Sequence, residues 1–212
     1  MIELITLSGE GLIETQDKKD IFIIENGLKK RVGFTTESLR FIHSDGRNAI
    51  ERIQLLSSEV LGNRKGVTVV EKAAFQPISF TDYVDEIMNL KAEYKNGIVN
   101  ITTEAGEVSR FDATGCFDSF SVELILRALP LEAGYSAAFK AFNATIKAVV
   151  EINLEVLQSE KIRKSKDELT DAWKVKTCFG ETVQYYWVDP VNKELLKQSS
   201  DIGKGVILEF RR

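Results

Sequence analysis

Apolar side chains in this chain recur mostly at every second position, the period of a half-buried strand, and only once at the period of a helix. The clearest alternation sets Val150, Ile152, Leu154 and Val156 against Glu151, Asn153, Glu155 and Leu157, an apolar row facing inward and a mostly polar row facing out. The helical exception is residues 118–129, where Val122, Ile125, Leu126 and Leu129 recur at i, i+3, i+4 and i+7 and Phe120 and Leu124 widen the stripe. Asp118 or Ser119 can cap its first turn, and Pro130 stops it. A helix with so little polar surface must be enclosed, and sheet is the partner that the pattern supplies.

Turn chemistry divides the remainder into strands. Asn26-Gly27, Asp45-Gly46 and Asn96-Gly97 each stand between β-rich runs, the signature of tight antiparallel hairpins. Gly62-Asn63, Lys65-Gly66, Ala105-Gly106, Gly180-Glu181 and Asp189-Pro190 punctuate further, and Pro77 marks 78–84 as an edge or connecting strand. Strands are also expected at 2–7, 21–24, 39–43, 49–56, 67–70, 90–95, 98–103, 108–111, 172–179, 182–188, 194–198 and 205–210, with an extended stretch from Tyr135 through Phe142 and a charged loop at 160–167. No helices lie between successive strands to make parallel crossovers. About ten antiparallel strands in succession twist until they close, split or curl around something. The expectation is a mainly β protein: one strongly curved antiparallel sheet, a half or flattened barrel, wrapped around the central helix as a single domain over 1–212.

Composition narrows the class. A chain of 212 residues, 43% hydrophobic and 28% charged, is that of a folded protein with a sizeable core. Thirty-two acidic against 28 basic residues leave a net charge of −4, which disfavours nucleic acid as a partner. No segment approaches the roughly twenty apolar residues needed to span a bilayer. Glu3 stands where a secretory leader carries positive charge, so the chain as it stands reads as a cytoplasmic protein. Cys116 and Cys178 lie far apart without a histidine near either, and read as two buried free thiols in preference to a disulfide.

Two stretches carry a family resemblance. Phe117-Asp118-Ser119-Phe120-Ser121-Val122-Glu123-Leu124-Ile125-Leu126-Arg127-Ala128-Leu129-Pro130-Leu131 and Gln184-Tyr185-Tyr186-Trp187-Val188-Asp189-Pro190 resemble a bacterial family of unknown function that shares the half-barrel of the lipoprotein-localisation carriers. The resemblance covers residues 35–212. It implies a strongly curved sheet around one or more short helices; in the carriers the concave face holds acyl chains and the helix acts as a lid. This chain departs from the carriers in showing neither a leader nor a lipobox cysteine, and a shared fold does not transmit function.

Candidate chemistry is sparse. Phe120, Leu124, Tyr135, Phe139, Phe142, Tyr185 and Trp187 can line an apolar pocket beneath the helix, their hydroxyls and indole orienting a polar head; equally, they can simply fill the core. His43, the one histidine, precedes a hairpin turn and reads as solvent-facing, so no zinc set can be completed. Asp82, Asp85 and Glu86, and Asp167, Glu168 and Asp171, are carboxylate groups of the kind that loops keep solvated. Ser8-Gly9-Glu10-Gly11 and Gly33 do not make a phosphate loop, no Gly-x-Ser-x-Gly elbow occurs, and Lys161 to Lys166 read as a solubilising run. The expected function is a non-enzymatic module binding an apolar or amphipathic, acyl-like small molecule on the concave face, without cofactor or metal. The alternative is a structural or protein-interaction role with a filled core.

Overall fold

The computed structural model describes residues 7–165 and 168–212. Two runs of antiparallel strands make the molecule. The first contains β1 (Thr15–Glu25), β2 (Leu28–Ser44), β3 (Arg47–Ser58), β4 (Gly62–Glu71), β5 (Pro77–Val84), β6 (Ile87–Lys95), β7 (Ile98–Thr103) and β8 (Val108–Asp112). A two-residue strand, β9 (Phe117–Asp118), leads through a 3₁₀ turn at Ser119–Ser121 into the helix α1 (Val122–Ala128). The second run is β10 (Ser136–Asn143), β11 (Ala148–Ser165), β12 (Glu168–Phe179), β13 (Thr182–Val188), β14 (Leu195–Asp201) and β15 (Ile207–Arg211). β1 pairs with β15, so the runs join into one sheet of fifteen strands, ordered from β8 inward to β1 and from β15 outward to β9. Every pairing is antiparallel except the short parallel pair of β9 with β10.

Local chemistry explains most of these bounds. Asn26, Asp45 and Asn96 take positive φ, as do Gly27, Gly46 and Gly97 after them, which is the backbone that two-residue hairpins require. Where β1 shifts register between Ile21 and Phe22, Gly33 lies opposite, and a Cβ there would meet the Ser57 carbonyl oxygen at 2.3 Å. Several expectations are corrected. Lys65-Gly66 is interior to β4, and β5 is flanked on both sides by β4 and β6. Pro77 is tolerated because it opens β5 beside a register shift, where a missing donor costs no ladder bond. The charged stretch 160–165 continues β11 because its long side chains alternate outward, Lys161 and Arg163 being exposed. The expected strand at 2–7 and the residue Asp167 fall outside the described residues, apart from Leu7, which is buried in the core.

The helix is shorter than the pattern predicts. Asp118 accepts the Phe120 amide at 3.0 Å, the chain tightens into a 3₁₀ turn, and Leu129 is already extended because the proline after it disfavours helical backbone. Val122, Leu124, Ile125, Leu126 and Leu129 are each at most 2% exposed, packed against Leu39, Ile50, Val70, Ile152, Val156, Val175, Tyr186 and Val188 from the concave face. Burying five such side chains contributes on the order of 10 kcal/mol.

The sheet curls until its two ends meet, without closing into a hydrogen-bonded barrel. β8 and β9 stand at opposite ends of the strand order, yet only residues 113–116 separate them in the chain. Side chains bridge the seam: the Phe142 ring lies 5.7 Å from that of Phe111 and 6.5 Å from that of Tyr94. A second cluster, including Phe80, Leu90, Val99, Ile101 and Phe142, fills the space behind it.

Enclosure leaves the polar face of α1 without water, and the sheet supplies partners. Arg52 of β3 donates to Glu37 of β2 at 2.7 Å, to Glu123 of α1 and to the Phe120 carbonyl at 3.3 Å; Arg127 of α1 donates to the other oxygen of Glu37. Burial alone would raise the Glu37 carboxyl, but Arg127, Arg52 and Lys19 hold it well below the usual carboxylate range. Replacing Glu37 with alanine takes the carboxylate from buried Arg127 and leaves Arg52 with Glu123 and the Phe120 carbonyl; the expected loss is about 3–5 kcal/mol in urea unfolding. Glu155→Ala on the exposed row of β11 is expected to stay within about 0.5 kcal/mol. Similar losses for both variants would mean that the network contributes nothing.

Candidate functional site

Alternation along three neighbouring strands builds a hollow beside the first turn of α1. On β3 the inward positions are Ile50, Arg52, Gln54 and Leu56; on β4 they are Arg64, Gly66, Thr68 and Val70; β5 adds Phe80 and Asp82. Register aligns them in rows: Leu56 with Arg64, Gln54 with Gly66 and Asp82, Arg52 with Thr68 and Phe80. Phe120 and Glu123 from the helix segment and the paired residues Gln198 and Phe210 of β14 and β15 complete a cavity of about 210 Å³.

The walls divide by chemistry. Phe80 and Phe120 stack face to face, 3.8 Å between centroids, and with Leu56 and Phe210 make the apolar side. Arg64, half-exposed, donates to Asp82 at 2.7 Å, and Asn89 donates to the same carboxylate oxygen at 2.8 Å. Gly66 opens the floor, since a Cβ there would stand 3.6 Å from the Phe80 ring, an ordinary contact. Leu7, Leu12, Phe75 and the turn Gly9–Gly11 stopper the opposite end of the concavity, where Gly9 donates to the Lys72 carbonyl at 2.9 Å. The hollow lies toward the other end, two residues from the ends of β3 and β5 and from the start of β4.

The seven aromatic and aliphatic candidates do not converge on one space. Phe120 lines the hollow; Leu124, Tyr135 and Phe139 belong to the main core, and Phe142 belongs to the seam. Tyr185 and Trp187 form a separate cluster with Ala172, Ile162 and Leu196, because Tyr186 between them points into the concave core and β alternation turns its neighbours to the other face. There Trp187 donates its indole N–H to Glu160 at 2.8 Å, and Lys197 and Lys174 stand over its ring.

Other candidates have ordinary placements. His43, Asp85, Glu86, Glu168 and Asp171 are exposed, Asp171 facing Lys161 at 3.4 Å. Lys164 leaves the basic run to pair with Asp189 and Glu194. Cys116 is buried and Cys178 is half-buried on β12, not fully buried as expected, and both are free. Sequence reasoning missed Arg52, Gln54, Arg64, Gln198 and Phe210. The available signal was polar residues at inward positions of otherwise apolar rows.

Two buried polar atoms at the seam have no hydrogen-bond partner, the second carboxylate oxygen of Asp118 and the Tyr94 hydroxyl. Burial raises the Asp118 carboxyl from 3.8 to about 7, only partly offset by the Phe120 amide and Arg52. Burial, Asp118 and Cys116 together push the Tyr94 phenol above its ordinary range.

A curved antiparallel sheet around a short enclosed helix, with a small amphipathic hollow on its concave side, defines an open, barrel-like β protein. The chain belongs to the family described as Protein of unknown function (DUF3108), which matches residues 39–210. Its fold is similar to that of the β-barrel-like protein of domain of unknown function DUF1849 from Brucella abortus, at 12% identity and a TM-score of 0.61 over 97% of this chain and 96% of that one. The hypothetical lipoprotein YmcC from Escherichia coli (K12) aligns over 92% of this chain and 85% of its own at 9% identity, with a TM-score of 0.31. No curated protein matches the sequence. Among the described residues no helix is long and apolar enough to cross a membrane.

A carboxyl whose folded value is raised binds its proton more tightly when folded, so its contribution is present below about pH 4 and is lost as pH rises toward 7. Asp118→Asn retains the cap oxygen and removes the charge. The expected result is a melting temperature about 5 °C higher than that of the parent at pH 8, with little difference at pH 4. A gain independent of pH would show that ionisation of Asp118 is not the cause.

Proposed function

We infer that the concave face binds one small amphipathic molecule and performs no chemistry on it. The observation that carries this reading is the hollow itself: a stacked phenylalanine pair, Leu56 and Phe210 on one side, Arg64 and Asp82 on the other, and Gly66, which adds no side chain to the lining. At about 210 Å³ it is smaller than the roughly 300–1,000 Å³ of sites for drug-sized ligands. The occupant is therefore a short acyl chain, or the end of a longer one.

Arg64 sets the polar end. Asp82 takes one of its guanidinium nitrogens, and the half-exposed remainder suits a carboxylate or phosphate, which match a planar fork of donors. Burying the chain against Phe80, Phe120, Leu56 and Phe210 supplies the affinity, at about 25 cal/mol per Å² of apolar surface removed from water. The resemblance to the lipoprotein-localisation carriers points the same way, toward an acyl-bearing ligand held by the sheet.

The test is displacement of an environment-sensitive apolar dye by medium-chain fatty acids. The parent protein is expected to bind with one-to-one stoichiometry. Gly66→Leu is expected to weaken displacement by about tenfold or more while the far-UV circular dichroism and melting temperature are retained. Arg64→Met is expected to weaken binding of the acid but not of the corresponding alcohol. Undiminished binding by a well-folded Gly66→Leu protein would remove the hollow as the site and favour the filled-core, protein-interaction alternative.

A further inference from the structure

The two ends of the sheet meet where little backbone pairing holds them. β9 joins β10 only through Phe117 opposite Ala141 and Asp118 opposite Phe142, and among the described residues no ladder joins β8 to β9. On its other side β8 is paired along its whole length, Val108 to Asp112 against Thr102 to Ile98 of β7. The chain between β8 and β9 is anchored at Ala113, whose amide donates to the Gly97 carbonyl at 2.7 Å. Thr114 and Gly115 beyond it are exposed, and Gly115 takes a positive φ.

What this joint encloses is polar. The second carboxylate oxygen of Asp118 and the Ser119 hydroxyl, on the segment itself, and the Tyr94 hydroxyl, from β6, are buried without a hydrogen-bond partner. Asp118 is 0% exposed, and its first oxygen accepts only the Phe120 amide. A neutral carboxyl tolerates such a place; a carboxylate with an unpaired oxygen there is far more costly. The surrounding groups do not remove that cost. Arg52 of β3 is committed to Glu37, to Glu123 of α1 and to the Phe120 carbonyl, and offsets the burial only in part. Burial keeps Tyr94 and Cys116 protonated, Lys140 of β10 and Asp112 of β8 act on Cys116, and Asp82 of β5 is paired with Arg64 of β4.

The carboxylate can regain water locally, because the two paired positions of β9 give way more easily than the ladders around them. We propose that the seam is a pH-operated gate: when Asp118 loses its proton, residues 114–118 swing away from β10 on the Thr114–Gly115 link and open the concave face beside Phe120. Closed, Asp118 keeps its proton up to about pH 7; open to water, it titrates near 3.8. The closed seam is therefore favoured most below about pH 4, loses ground as pH rises toward 7, and changes no further above that. The gate requires no ligand, so it stands apart from the ligand reading.

Hydrogen–deuterium exchange of the ligand-free full chain, resolved by peptide and corrected for the pH dependence of chemical exchange, tests this between about pH 5 and 8. The opening equilibrium of peptides spanning 113–121 and 136–143 is expected to rise about tenfold per pH unit up to pH 7 and then level off. Peptides spanning 35–39 and 52–56, from the β2–β3 ladder, are expected to stay unchanged. Asp118→Asn is expected to abolish the pH dependence and to keep the seam as closed at pH 8 as the parent is at pH 5. Tyr94→Phe removes only the partnerless hydroxyl and is expected to retain the parent's pH dependence, which separates the carboxyl from seam packing in general. Should Asp118→Asn fail to fold, the parent profile with Tyr94→Phe decides. The proposal is overturned by seam peptides whose opening does not change with pH, by an Asp118→Asn protein with the parent's pH dependence, or by a Tyr94→Phe protein that lacks it. An equal rise in the β2–β3 peptides would mark opening of the whole sheet and likewise overturn it.

Discussion

A short helix held where water does not reach is the constraint on which the rest of the structure depends. The apolar stripe of α1 is satisfied by the concave rows of the sheet, but Arg127 on the same helix is buried with it and Glu123 is mostly covered. Two ions cannot be left unpaired at such a site without a penalty of several kcal/mol each. Glu37 and Arg52, placed diagonally on adjacent strands, close the pairs and fix which face of the helix turns toward β2 and β3. Apolar burial draws the helix in; ionic pairing sets its rotation.

The curvature that encloses the helix has its own consequence. An open sheet with two edges is exposed to unwanted pairing, and full closure removes that hazard. Here the edges are brought together by four linking residues and by aromatic contacts across the seam, with no ladder between them. The packing there buries Asp118 and Tyr94 with polar atoms unpartnered, and burial raises the Asp118 carboxyl.

Stoppering one end of the concavity with Leu7–Leu12 and Phe75 gives the molecule a polarity. The amphipathic hollow belongs to the other end. The proposed ligand site therefore sits away from the stopper, among strand ends that carry no other core-filling element in the described residues.

Much of the architecture was legible because it rests on local physics. Asn-Gly and Asp-Gly pairs determine hairpins, period-two alternation determines which faces are buried, and a 3.6-residue stripe ended by proline identifies the helix. The hollow was not legible in the same way. The aromatic residues of 185–187 look like one group in the chain, yet alternation splits them between two faces, and the hollow is assembled from rows of β3, β4, β5, β14 and β15 distant in sequence. Sequence alone determined that this chain forms a curved antiparallel sheet around one helix. Register and the meeting of far-apart strands decided where it is hollow and where it is charged, because those properties belong to side chains that become neighbours only once the sheet has curled.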